Sequence, residues 1–272
     1  MAKLSAFADE VSSDLDEQLA IMRREGVANI ELRGVWEKNV LKLTTDEVKR
    51  VKQAADAAGI GFSAVGSPLG KFPMAGDFNE QLEDVKRALE FAAILEAPYI
   101  RIFSYFIPKG DDPATHRTQV IDRLGALTAE AEKTDTILAH ENERDIYGDT
   151  GARCLDLYES IKSDHFTGIF DFANFICCGE RPYTDCWPLL RPHTTYFHVK
   201  DARLADNKIT PAGAGDGDVE TILAEAFADG FDNFLTLEPH LSIAEASYGR
   251  TSDALFHTAV EALTGILLRV ER

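Results

Sequence analysis

The stretch GIFDFAN, residues 168–174, has the pattern of a buried β-strand that ends in polar side chains. A glycine and two apolar residues lead directly into the carboxylate of Asp171, and Asn174 follows three residues later. A short apolar run of this kind is typical of a strand that is covered on both faces, as the strands of a parallel sheet are. The number of similar runs along the chain, and what separates them, therefore decides the fold.

Eight strand candidates alternate with helical segments along the chain. In order, the strand candidates are KLSAFA (3–8), NIELRG (29–34), GFSAVG (61–66), YIRIFSY (99–105), ILAHEN (137–142), GIFDFAN (168–174), YFHVKD (196–201) and FLTLEP (234–239). Apolar residues recur at helical spacing between them, as in 15–26, 44–59, 78–97, 122–134, 219–230 and 252–272. Such alternation indicates an α/β fold. Eight units in this length match a (β/α)8 TIM barrel, with a doubly wound sheet as the alternative.

The boundaries of some elements can also be predicted. Thr45 or Asp46 is expected to cap the second helix, and Gly59 is expected to end it. No internal repeat and no linker rich in proline, glycine or serine interrupts the chain. We therefore expect a single domain over residues 1–272.

Acidic residues far outnumber basic ones: 46 Asp and Glu stand against 28 Lys and Arg, which gives a formal net charge of −18. This charge repels phosphate backbones and anionic membranes, so we expect neither nucleic acid nor a membrane as a partner. There is no apolar run of transmembrane length and no secretory leader pattern, and we expect a soluble cytoplasmic protein. The four cysteines lack zinc-site spacing. We expect reduced thiols, with a catalytic role for Cys177 or Cys178 as the alternative.

Polar residues follow the last four strand candidates at the end where a barrel carries its active site. They include Glu141, Asp171, His198 and Glu238, one from each strand. Carboxylates that converge in a barrel mouth repel one another unless a cation lies between them. This set suits Mn²⁺ best, with Mg²⁺, Co²⁺ or Zn²⁺ as alternatives. Each residue alone has an ordinary structural explanation, and only their convergence indicates a divalent metal site.

Further polar residues near the same strand ends are candidates for substrate binding. Lys200 is expected either to hold a substrate oxygen or donate a proton, or to form an ion pair with Asp201 or with a carboxylate of the cluster, and both interpretations stay open. Glu31 and Arg101, on the second and fourth strands, are candidates for substrate contact or for pairing with charged neighbours. Ser67 and Lys71 follow the third strand, where a loop can touch a sugar or simply form a turn.

Four motifs around these residues resemble the xylose isomerase-like barrel family of sugar isomerases and epimerases. They are HENERDIYGDT (140–150), FDFANF (170–175), FHVKDA (197–202) and LEPHL (237–241). The resemblance covers nearly the whole chain, and it implies that Glu141, Asp171, His198 and Glu238 hold a metal ion. In that family a polar residue three positions after the metal-binding aspartate contacts substrate or metal, which makes Asn174 a further substrate-binding candidate.

The loop PAGAGDGD, residues 211–218, is rich in glycine but lacks the spacing of a nucleotide-binding fingerprint. We expect a turn and capping role for this loop rather than phosphate binding. The loop also departs from the family pattern, because Ala214 stands where glutamate is common.

The resemblance implies a metal-dependent sugar isomerase or epimerase that acts on an α-hydroxy carbonyl compound, such as a ketose or a related polyol ketone. Glu141 and Glu238 are the catalytic candidates for moving a proton by way of an enediolate. Dehydration of an inosose-like substrate is the alternative reaction, and a non-catalytic sugar-binding barrel is the alternative of another class. A small sugar or polyol is the expected partner, and the resemblance leaves a homo-oligomer open.

Overall fold

The computed structural model describes residues 2–241 and 251–270 and shows a closed barrel of eight parallel strands. The barrel strands, numbered β1 to β8 in chain order, are Lys3–Ala6, Asn29–Leu32, Gly61–Val65, Tyr99–Ile102, Ile137–Glu141, Phe166–Asp171, Thr194–Val199 and Phe234–Leu237. Each strand pairs with the next one along the chain, and β8 pairs with β1 to close the ring. The predicted TIM barrel is confirmed, and the doubly wound alternative is wrong.

Nine α-helices lie between and after the strands in the described part of the chain. They are α1 to α9 in order: Leu15–Arg24, Thr45–Ala58, Phe78–Leu95, Arg117–Ala131, Gly151–Ser160, Phe172–Cys177, Trp187–Leu190, Val219–Ala228 and Asp253–Val270. A continuous cluster of buried apolar residues joins the helices to the strands. In residues 2–241 and 251–270, no helix has the length and apolar character needed to cross a membrane. The end of the last predicted helix, residues 271–272, lies outside the described residues, and the single domain over 1–272 stays a prediction.

The second helix begins with a capping box that the sequence prediction misplaced. The hydroxyl of Thr44 accepts a hydrogen bond from the backbone N–H of Glu47, and the Glu47 carboxylate accepts one from the backbone N–H of Thr44. The predicted cap at Thr45 or Asp46 is wrong because this reciprocal pair requires the capping residue three positions before the glutamate. Gly59 ends the helix in the left-handed conformation, as predicted.

A polar layer crosses the inside of the barrel below its C-terminal end. The hydroxyl of Tyr196, on β7, lies 2.7 Å from Oε2 of Glu31, 2.8 Å from Oγ of Ser63 and 2.6 Å from Oγ1 of Thr236. These side chains come from β2, β3 and β8, so the hydrogen bonds tie four strands together. His198 lies two residues beyond Tyr196 and points to the same face of β7. The layer therefore supports the side chains at the barrel mouth from below.

Candidate metal centre

Four polar side chains meet at the C-terminal end of the barrel, and we call them the metal quartet. Glu141 and Asp171 are the last residues of β5 and β6, His198 is next to last in β7, and Glu238 follows β8 directly. All four are buried, and each offers a ligand atom within 4.8 Å of the ligand atoms of the other three. The structure thus brings together the four residues that were predicted to hold a metal.

Two atoms of the metal quartet, Oδ2 of Asp171 and Nδ1 of His198, are buried and make no aligned hydrogen bond. Nζ of Lys200 lies 3.0 Å from the first, and Oε1 of Glu141 lies 3.0 Å from the second. Buried polar atoms are nearly always partnered, because an unsatisfied one costs roughly 1–3 kcal/mol. A divalent cation among the four side chains would satisfy both atoms and compensate the carboxylate charges. Carboxylate oxygens with one imidazole nitrogen suit Mn²⁺, Mg²⁺, Co²⁺ and Zn²⁺. The residues therefore fit a divalent metal ion.

Each ring nitrogen of His198 lies beside a carboxylate. Its Nε2 atom lies 3.0 Å from Oε2 of Glu31, the same oxygen that accepts the hydrogen bond from Tyr196. Its Nδ1 atom lies 3.0 Å from Oε1 of Glu141 but without the alignment of a hydrogen bond. A metal-binding histidine commonly donates its other ring N–H to a carboxylate. Glu31 therefore leaves Nδ1 as the nitrogen that faces the metal quartet.

Lys200 places a positive charge against the metal quartet. Its Nζ atom lies 3.0 Å from Oδ2 of Asp171 and 2.9 Å from Oε2 of Glu238, so the ion pair considered from the sequence is present. Burial raises the pKa of Asp171, and the Lys200 ammonium offsets only part of this rise. Asp171 is thus a carboxylate whose charge the surrounding protein compensates incompletely, and a cation bound beside it would complete the compensation.

Each glutamate of the metal quartet accepts a hydrogen bond from an arginine side chain. Nη1 of Arg101 donates to Oε2 of Glu141 at 3.2 Å, and Nη1 of Arg33 donates to Oε1 of Glu238 at 3.0 Å. Burial by itself would raise the pKa of both glutamates, but the cations around them outweigh burial and lower both pKa values. Both glutamates are therefore ionised at neutral pH, which is the form that binds a metal or accepts a proton.

Comparison with known proteins agrees with this centre. A family model described as the xylose isomerase-like TIM barrel matches residues 19–256. The chain belongs to that family. No curated protein matches the sequence of this chain.

Solved structures of the xylose isomerase-like fold cover nearly the whole chain. The IolI protein, solved with a zinc atom, has a TM-score of 0.79 at 15% identity, over 98% of this chain and 99% of that one. The probable 3-DHS dehydratase AsbF from Bacillus anthracis has a TM-score of 0.77 at 17% identity, over 96% of this chain and 98% of that one. The 3-keto-D-glucoside 4-epimerase YcjR from E. coli has a TM-score of 0.75 at 16% identity, over 98% of this chain and 100% of that one. At these identities the likeness establishes the fold.

A second group of potential metal ligands in this xylose isomerase-like barrel consists of Glu10, Glu238 and His240. The guanidinium of Arg33 already lies among them: it donates to Oε1 of Glu10 at 2.9 Å, to Oε1 of Glu238 at 3.0 Å and to Oδ2 of Asp9 at 2.8 Å. Arginine stays charged at every pH that a protein tolerates. This second group is therefore neutralised by the chain itself, and the described residues fit one metal ion at the barrel mouth.

A cavity of about 450 Å³ opens at the barrel mouth beside the metal quartet. Glu141 and Glu238 line this cavity, whereas Asp171 and His198 do not. Other residues in its lining include Asp9, Arg33, Lys38, Lys71, Arg101, Glu143 and His240. A larger cavity of about 560 Å³ lies at the opposite end of the barrel, among the first residues of β4 and β5, and contains no member of the metal quartet. The mouth cavity is therefore the candidate substrate site.

Of the six residues considered for substrate contact, Arg101 and Lys71 line the cavity, and the four outside its lining are Glu31, Ser67, Asn174 and Lys200. Ser67 is fully buried, and its hydroxyl donates to the backbone carbonyl of Arg101 at 2.5 Å. Nδ2 of Asn174 donates to Oε1 of Glu141 at 3.2 Å. These side chains contact the metal quartet or its neighbours, so their placement favours a supporting role. Their direct contact with substrate stays a prediction.

Asp9, Arg33 and His240 line the cavity, yet the sequence analysis did not single them out as site residues. Each follows a barrel strand within three residues: Asp9 follows β1, Arg33 follows β2 and His240 follows β8. Position just beyond a strand is the same signal that identified the metal quartet. Applied to every strand and not only to the last four, it would have found Asp9 and Arg33, while His240 already follows one of the last four strands.

The thiols of Cys177 and Cys178 do not line the cavity. Burial raises the pKa of both, to about 12 for Cys178. A catalytic cysteine needs the opposite shift, because the thiolate is the reactive form. The structure therefore gives the alternative of a catalytic thiol no support.

Proposed function

We propose that the protein is a divalent-metal-dependent isomerase or epimerase that acts on an α-hydroxy carbonyl compound, such as a ketose or a related polyol ketone. The observation that carries this proposal is that Glu141 and Glu238 belong to the metal quartet and also line the cavity. A substrate in the cavity would meet these two carboxylates and the metal ion together. Membership of the xylose isomerase-like family supports this class of chemistry.

The two glutamates are proposed to move the proton. A divalent ion at this centre supplies stabilisation for the negative charge that develops on a carbonyl oxygen when the neighbouring C–H bond breaks. Glu141 or Glu238, both ionised, accepts that proton. Epimerisation follows when a proton from solvent, relayed through the other glutamate, reaches the opposite face of the same carbon, while the first glutamate passes its proton to solvent. Return to the adjoining carbon on the same face gives aldose–ketose isomerisation.

Arg101 and Arg33 are proposed to keep these carboxylates ready for proton transfer. Each arginine bonds one oxygen of its glutamate, at 3.2 Å for Glu141 and 3.0 Å for Glu238, and so fixes the direction of the carboxylate. A fixed carboxylate keeps its place relative to the carbon that reacts, which lowers the entropic cost of proton transfer. Each arginine thereby serves as a positioning residue.

Hydrogen exchange with solvent tests the proposed function. The Mn²⁺-loaded protein is incubated in D₂O with a panel of ketoses and inososes, and deuterium incorporation is followed by mass spectrometry. We expect deuterium at the carbon beside the carbonyl for at least one compound. Glu141→Gln and Glu238→Gln should slow exchange by roughly 100-fold or more, because each lacks a proton-accepting group. Glu83→Gln, which changes an exposed glutamate of α3 outside the cavity lining, should exchange at close to the wild-type rate.

The products of the same incubations separate the alternatives. An epimer or an aldose identifies epimerisation or isomerisation, while loss of water from an inosose identifies the dehydratase alternative. Binding of a sugar without any exchange identifies a non-catalytic sugar-binding barrel. Absence of both binding and exchange across the panel would contradict the proposed function.

A further inference from the structure

The positive charges that line the mouth cavity are paired within the protein. Every Lys and Arg in the lining has a carboxylate within ion-pair distance among the described residues: Arg33 with Asp9, Glu10 and Glu238, Lys38 with Glu47, Lys71 with Glu143, and Arg101 with Glu141. An anionic group such as a phosphate would have to displace one of these carboxylates or lie beside it. Hydroxyl groups carry no such penalty. The lining therefore favours an uncharged, hydroxyl-bearing ligand.

Asp9 lines this cavity and has a hydrogen-bond acceptor that the protein does not use. Its Oδ2 atom accepts from Nε of Arg33 at 2.8 Å, whereas its Oδ1 atom is buried and has no hydrogen-bond partner. The side chain as a whole is 17% exposed and lines the cavity. A buried carboxylate oxygen without a donor is unfavourable. A hydroxyl group of a ligand in the cavity would supply the missing donor.

His240 lies on the same side of the cavity and is held in an uncommon backbone conformation. Its φ angle is +46°, in the left-handed region that residues other than glycine rarely adopt. Its Nε2 atom lies 2.9 Å from Oε1 of Glu10, the oxygen to which Arg33 also donates. Strained backbone that the surrounding contacts maintain is often found at ligand-binding sites. The ring is thereby fixed beside the network that holds Asp9.

We propose that Asp9 and His240 form a subsite that binds hydroxyl groups of an uncharged polyol, beside Glu238 and apart from the metal quartet. Asp9 accepts a hydrogen bond from one hydroxyl, and the imidazole of His240 contacts the next. This subsite would hold the part of a substrate that does not react. The inference takes its class of substrate from the proposed function, but it concerns binding and can be tested without catalysis.

Ligands that differ in length provide the test. The four D-ketohexoses carry hydroxyl groups well beyond the α-hydroxy ketone, whereas dihydroxyacetone has the α-hydroxy ketone alone. Dissociation constants are measured by ligand-observed NMR titration of the Mg²⁺-loaded protein. We expect at least one ketohexose to bind the wild type about tenfold more tightly than dihydroxyacetone does. Asp9→Ala should remove most of that difference and should leave the affinity for dihydroxyacetone within about twofold.

Two further variants serve as controls. Glu83→Gln changes an exposed acidic residue of α3 outside the cavity lining and should leave both affinities unchanged. Asp9→Asn keeps the size of the side chain and should weaken ketohexose binding in the same direction as Asp9→Ala, which guards against a folding defect in the alanine variant. His240→Ala should also weaken ketohexose binding more than dihydroxyacetone binding.

Three outcomes would overturn the subsite. They are the absence of any ketohexose preference in the wild type, unchanged ketohexose affinity in both Asp9 variants, and an equal loss for both ligands, which would mean that Asp9 acts through the metal centre. If a ketohexose binds in an Asp9-dependent way but exchanges no hydrogen with D₂O, the subsite stands and the proposed catalytic function fails. The two proposals can therefore be separated.

Discussion

The contact between Glu31 and His198 controls how the imidazole meets the metal quartet. Glu31 is fully buried and binds Nε2 of the ring, which leaves Nδ1 for the metal. Glu31→Gln keeps the shape of the side chain but removes the charge that holds the Nε2 proton. We expect its affinity for Mn²⁺ to fall about 10- to 100-fold, as measured by isothermal titration calorimetry.

The control for this prediction is Glu143→Gln. Glu143 lines the cavity and pairs with Lys71 at 2.9 Å, but it lies outside the metal quartet and does not contact His198. Its partly exposed ion pair contributes little, so the Mn²⁺ affinity should stay within about twofold of the wild type. An unchanged affinity in Glu31→Gln would show that Glu31 does not orient the histidine.

Single residues also show what the sequence could and could not predict. The metal quartet was predictable because each member lies at or just beyond the end of a barrel strand, a position that can be read from local pattern. The partners of the quartet were not predictable, because they are distant in sequence. His198 contacts Glu31, 167 positions away, and Arg33 contacts Glu238, 205 positions away. No local pattern reports such pairings.

At the scale of elements, the loop over residues 211–218 is organised by one buried carboxylate. Asp201 accepts hydrogen bonds from the backbone N–H groups of Gly213, Gly215 and Gly217 at 2.9–3.0 Å. An internal anion thus fills the concavity that a glycine-rich loop could offer to a phosphate. This arrangement agrees with the turn role expected from the sequence.

Gly215→Ala tests how tightly this loop is packed. A Cβ atom at Gly215 would lie 2.3 Å from the carbonyl oxygen of Ala202 and 2.4 Å from Oδ1 of Asp201. Since backbone and a buried carboxylate have to move, we expect the free energy of unfolding to fall by about 1–3 kcal/mol. Urea denaturation measures the change.

Gly125→Ala is the matched control for the loop variant. Gly125 lies inside α4, and a Cβ atom there would meet no other atom within 4 Å. Alanine is favoured over glycine in a helix, so this variant should be more stable by up to about 1 kcal/mol. A Gly215→Ala variant as stable as the wild type would contradict the packing described for the loop.

The elements themselves were largely predictable from the sequence. All eight strand candidates form barrel strands, because buried parallel strands are short apolar runs separated by helical periodicity. Helix boundaries were harder to predict, as the cap at Thr44 shows. Neighbouring Thr and Asp residues have similar capping propensities, and only the hydrogen bonds to Glu47 distinguish them. Helices α5, α6 and α7 were not among the predicted segments, and α6 and α7 are too short to carry a periodic pattern.

At the scale of the whole molecule, the acidic composition favours the binding of a cation at the candidate metal centre. The chain carries a formal net charge of −18, and several of its carboxylates are concentrated at the barrel mouth. Lys200, Arg33 and Arg101 neutralise part of this charge, yet Oδ2 of Asp171 and Nδ1 of His198 still lack an aligned hydrogen bond. One divalent ion would complete the arrangement.

Metal content is the most direct test of this account. The purified protein is incubated with excess Mn²⁺, dialysed and analysed by inductively coupled plasma mass spectrometry, beside Asp171→Asn and Glu238→Gln. We predict about one ion per chain in the wild type and a strong loss in both variants, because each removes a carboxylate ligand. A wild-type protein that retains no divalent metal when Mn²⁺, Mg²⁺, Co²⁺ and Zn²⁺ are each supplied would contradict the central claim.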